Sequence, residues 1–65
     1  MKKWIVKFLT YHESYNGYEL SDGWSEYIVE ARHTKSAKNK ALKLWNKDFH
    51  SAYAIRTTTI SLYEY

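Results

Sequence analysis

The residues able to do chemistry in this chain are three histidines, a scatter of serines and threonines, and a basic cluster at positions 32–38. His12, His33 and His50 lie far apart, and no two have the short spacing that brings ligands to one metal. His12 and Glu13 are of the right types for an acid/base pair, but neighbours on a strand point to opposite faces and do not meet. With only two Gly there is neither a nucleophile elbow nor a glycine-rich phosphate loop. A chain of 65 residues also leaves little scaffold to wall a cleft. The expectation is a protein that is not an enzyme, with no catalytic residue, no metal and no cofactor.

Binding chemistry is better represented. A helix start presents free N–H groups and a partial positive charge, so it normally attracts Asp or Glu. Here the cluster supplies Arg32, His33, Lys35 and Lys38, with the hydroxyls of Thr34 and Ser36 between them. Such a start suits an anion, a phosphate or carboxylate of a partner. The competing expectation is that Glu26 or Glu30 neutralises it within the fold. Lys40, Lys43 and Lys47 extend the basic surface at helical spacing, although that pattern also describes an ordinary solvated face. A nucleic-acid surface would interleave aromatics for stacking or place Arg and Asn at base edges.

The charges are sorted by segment. From Glu13 to Glu30 there are five acids (Glu13, Glu19, Asp22, Glu26, Glu30) and no Lys or Arg; from Arg32 to Lys47 there are six bases and no acid. The net charge of +3 therefore conceals an acidic half beside a basic half. The acidic half also carries Tyr15, Tyr18 and Trp24. With Tyr11, Tyr63 and Tyr65 these exceed what a small core needs, and Tyr and Trp are enriched at binding hot spots. An acidic, tyrosine-rich segment repels phosphates and suits a protein surface.

These residues must be positioned by few elements. Residues 3–12 are rich in β-formers and apolar on both faces (Trp4, Val6, Phe8; Ile5, Leu9, Tyr11), which predicts a central strand or one covered by a partner. Residues 24–32 alternate, with Tyr27, Val29 and Ala31 inward and Glu26, Glu30 and Arg32 outward. Asn16-Gly17 and Asp22-Gly23 are turn signals; the favoured arrangement is one long hairpin turning at Asn16-Gly17 with a bulge at Asp22-Gly23, and the other is an eleven-residue loop over 13–23 exposing Tyr15, Tyr18 and Leu20. Thr34 or Ser36 can cap a helix running to about His50. Its core stripe would be Ala37, Ala41, Leu44, Trp45, Phe49 and Ala52, with Leu42 at the margin. A last strand spans 53–64, where odd Ile55 and even Ile60 and Leu62 require a bulge or twist around Thr57–Thr59. The order is ββαβ, and the fold class is α+β: a three-stranded antiparallel-type sheet with one helix packed on one face, in a single domain over 1–65.

The absence of Cys removes disulfides as staples and fits a reducing cytoplasm. Lys7 interrupts the apolar run behind the basic start, and no stretch reaches the ~20 apolar residues of a membrane span, so no membrane partner is expected. The chain reads as a complete small protein. Three Trp, seven Tyr and two Phe must stabilise it, with oligomerisation as the other usual aid.

The stretch Glu30-Ala31, Thr34, Ala37, Ala41 resembles the strand–cap–helix junction of tiny βαβ proteins encoded by phages and mobile elements. Some of those proteins inhibit host enzymes or defence systems by binding them, so the resemblance implies that kind of direct-binding inhibitor as one role and assigns no residue to it. From the tyrosines and acids of the hairpin themselves, the first expectation is a protein-binding module using Glu13, Tyr15, Tyr18, Glu19, Asp22 and Trp24. The alternative is a nucleic-acid binder using Arg32, Lys35, Lys38, Lys40, Lys43 and Lys47. A homodimer is expected through the sheet edge or second face, or through hairpin against helix.

Overall fold

In the computed structural model, which describes residues 1–49 and 53–63, the long hairpin forms, not an eleven-residue loop over 13–23. Strand β1 (Lys2–Glu13) runs antiparallel to β2 (Glu19–Ala31), so β2 begins at Glu19 rather than at Trp24. The reversal is made at Ser14–Tyr18, with Gly17 at φ +82°, a conformation open to Gly and strained for other residues. Helix α1 (Thr34–Asp48) follows, and β3 (Tyr53–Leu62) returns along the free side of β1. The sheet order is β2-β1-β3, which makes the strand that is apolar on both faces the central one. The class is α+β in ββαβ order.

Both register shifts occur where β1 passes from Leu9 to Tyr11. Opposite Thr10 and Tyr11, β2 pairs through Gly23 and Ser21, leaving Asp22 as the extra residue, with Gly23 also at φ +82°. Opposite Leu9 and Thr10, β3 pairs through Thr57 and Ile55, leaving Arg56 as the extra residue. The second bulge thus falls just before the Thr57–Thr59 run, not within it. Its effect is the one the sequence demanded: Ile55, Ile60 and Leu62 pair with Thr10, Val6 and Trp4 and share their face.

The helix covers the face of Trp4, Val6, Phe8 and Thr10, joined by Val29 and Ala31 from β2 and by Ala37, Ala41 and Trp45 from α1. Aromatic rings carry this core toward the hairpin: Phe8 meets Tyr27 and Trp45, Trp45 stacks on Phe49 at 5.3 Å, and Phe49 meets Tyr53. Buried polar groups are matched. The Trp4 indole donates to the carbonyl of Ala31 (3.0 Å) and the Trp45 indole to the hydroxyl of Thr10 (2.9 Å).

Three details of the helix differ from expectation. Its N-cap is His33, not Thr34 or Ser36: the imidazole accepts the backbone N–H of Ser36 at 3.4 Å, a role open to any side chain with an acceptor at that place. It ends at Asp48 with Phe49 as C-cap; His50 and Ala52 lie outside the described residues. Leu42 packs on the core while Leu44 is 40% exposed. No helix among the described residues is long and apolar enough to cross a membrane.

Candidate binding surfaces

The hairpin extends past the C-terminal end of the helix, and its tip is the most exposed aromatic site among the described residues. Tyr15 is 104% exposed, Tyr18 71% and Leu20 47%. The backbone that carries them is well fixed. Ser14 N–H donates to the Tyr18 carbonyl (2.6 Å), Gly17 N–H to the Ser14 carbonyl (2.9 Å), and Tyr18 N–H to the Ser14 hydroxyl (3.1 Å). A serine that both donates and accepts across the turn closes it without help from the core.

The acids beside this tip are less available than the charge pattern predicts. Asp22, the extra residue of the β2 bulge, accepts a hydrogen bond from His12 Nδ1 at 2.9 Å, and the His12 ring sits edge-on to Tyr53. Arg56, the extra residue of the β3 bulge, forms an ion pair with Glu19 and lies over the ring of Tyr11 at 4.9 Å. Each bulge thus releases the one side chain that ties down an acid or serves as one. Glu13, directly opposite Glu19 in the register, has no ion pair among the described residues. The pairings are long-range, so charge counting could not find them. The cue was present only as an Asp-Gly bulge signal opposite a histidine.

Trp24 does not join the tip. It stands on the sheet face turned away from the helix, opposite Leu9 in the register and 53% exposed. Neighbouring it are Lys7, Glu26 and Thr59, which with Trp24 line a shallow depression of about 360 Å³. The six residues expected to form one protein-binding surface are therefore divided. Glu13, Tyr15, Tyr18 and Glu19 stand at or beside the tip, Asp22 beside His12, and Trp24 on the open face.

On the basic side, Arg32, Lys35, Lys38, Lys43 and Lys47 are exposed and make no ion pair among the described residues, and the first turn of α1 has no acid. Neither Glu26 nor Glu30 neutralises the helix start through its carboxylate; Lys40 instead donates to the backbone carbonyl of Glu30. His33 occupies one of the N-terminal N–H groups that an incoming anion would use. Among the described residues no three His, Cys, Asp or Glu cluster as a metal site. Compared with known proteins, the chain matches no family model, no curated protein and no solved structure.

Proposed function

We propose that this protein binds a protein target, without catalysis, through the tip of the β1–β2 hairpin. The supporting observation is the fixed turn that holds Tyr15 and Tyr18 out in solvent. An aromatic side chain on a preorganised turn loses little conformational freedom on docking, so more of its contact energy survives as affinity. Leu20 adds apolar area and Glu13 the acid without an ion pair, which fits a target groove that is apolar with a basic rim. Occupying such a groove is also how a small inhibitor acts, in keeping with the likeness of the strand–helix junction to phage-encoded proteins. The Cys-free composition is consistent with a cytoplasmic setting.

The basic helix is a weaker candidate for the working surface, because its one aromatic, Trp45, and Phe49 at its C-cap face the core rather than a nucleic acid. Capture from the lysate of the source cell, split into nuclease-treated and untreated halves, separates the two readings. The proposal expects one protein retained in both halves and lost with the Tyr15→Ala/Tyr18→Ala variant. Equal retention by that variant, or retention that vanishes with nuclease, overturns it.

A further inference from the structure

The sheet face turned away from the helix follows a rule that the core face does not. Going along β1 as far as the bulge, its residues are Lys3, Ile5, Lys7 and Leu9; directly opposite on β2 stand Glu30, Ile28, Glu26 and Trp24. These four rows pair like with like in polarity and opposite with opposite in charge (Lys with Glu, Ile with Ile, Lys with Glu, Leu with Trp), and the rule ends at the bulge, past which Tyr11 stands opposite Ser21 and Glu13 opposite Glu19. Ile28 and Trp24 are about half exposed, at 50% and 53%. Lys7 and Glu26 share one row and line one depression, yet they form no ion pair with each other. The third strand sets Ser61, Thr59 and Thr57 beside the rows of Ile5, Lys7 and Leu9, and Tyr63, just past its end, donates its backbone N–H to the carbonyl of Lys3.

We infer that a second copy of this chain covers this face, related by a two-fold axis that runs parallel to the strands between β1 and β2. That axis lays β1 of one copy over β2 of the other without changing the row. Lys7 then meets the Glu26 of the second copy, Ile5 meets its Ile28 and Leu9 its Trp24, each contact occurring twice. An axis across the strands through the Lys7 row would put Lys7 over Lys7 and Glu26 over Glu26, and is excluded by repulsion. The chosen axis leaves the hydroxyl-bearing β3 overhanging on each side, in water, where its side chains suit it. Aligned packing of two sheets is an ordinary arrangement, with a face separation of about 10 Å.

The covered area is small. Two strands about 4.8 Å apart and seven residues long, at ~3.3 Å per residue, make a patch well below the ~800 Å² per partner of a standard interface. The dimer is therefore weak and reversible, and is weakened further by salt.

The test is sedimentation of the full chain from low micromolar to millimolar concentration at low salt. The wild type is expected to pass from one chain to two, with Trp emission shifting to the blue as Trp24 is covered. Lys7→Glu and Glu26→Lys, each of which puts like charges in the central row, are expected to remain single chains. The combined K7E/E26K variant restores complementarity and is expected to dimerise again. Circular dichroism shows whether each variant keeps its fold, and the double variant carries the test should a single one unfold. A wild type that stays monomeric at millimolar concentration, a dimer untouched by either single reversal, or no recovery in the double variant overturns the proposal.

Discussion

The indole of Trp45 donates its N–H to the hydroxyl of Thr10 across 2.9 Å, in a core where Thr10 has no exposed surface. One bond thus ties the helix to the central strand at the level where both bulges occur. Thr10→Val keeps the shape and removes the acceptor, leaving a buried donor without a partner. The expected loss is about 1–3 kcal/mol. Thr10→Ser keeps the acceptor and should lose less. Denaturant midpoints of the two variants check this; equal midpoints for Val and wild type would show that the bond contributes nothing.

Tyr27 donates its hydroxyl to Asp48 at 2.8 Å, joining β2 to the last turn of the helix. Burial, then the hydrogen bond and negative charge of Asp48, push this phenol up to about 12 from an ordinary 10. The unfolded chain releases this proton first, so folding favours the protonated form. The contribution of Tyr27 is therefore complete below pH 10 and is lost as pH rises through about 12. Near-ultraviolet absorbance should show one tyrosine ionising later than the rest, and Tyr27→Phe should abolish that late phase. A late phase that persists in the variant assigns it elsewhere.

Much of this architecture was legible because strand alternation is a local signal. Trp4, Val6 and Phe8, with Tyr27, Val29 and Ala31, declared their face by parity alone, and Asn16-Gly17 declared the turn. The helix stripe was legible at Ala37, Ala41, Trp45 and Phe49 and differs only at its margin. Trp45 and Phe49 set the contact, and rotation toward them brings Leu42 in and turns Leu44 out. In β3 the parity of Ile55 against Ile60 required an extra residue, but a run of three Thr gives no clue to its position. The structure spends Arg56 there, since an exposed, ion-paired side chain loses least by leaving the ladder. The candidate surfaces were less legible. Their charges are matched across strands, by Asp22 to His12 and Arg56 to Glu19, and only the register reveals those partners.

Glu13 and Glu19 face each other directly across the hairpin, an arrangement that costs stability. Arg56 relieves Glu19, but Glu13 keeps its charge without an ion pair among the described residues. Nothing in the packing calls for an acid at this exposed position. Glu13→Lys converts the repulsion into a cross-strand attraction, and the expected gain is a few tenths of a kcal/mol, within the ~0.2–1 kcal/mol range of such pairs. High salt should shrink that gain, because the pair is in water. If the hairpin tip docks on a basic rim, the same change must weaken capture of the target. Thermal melts and binding measured on one preparation should therefore move in opposite directions, with stability rising and affinity falling. A variant that is more stable and binds equally well would remove Glu13 from the proposed contact and leave the recognition to Tyr15, Tyr18 and Leu20.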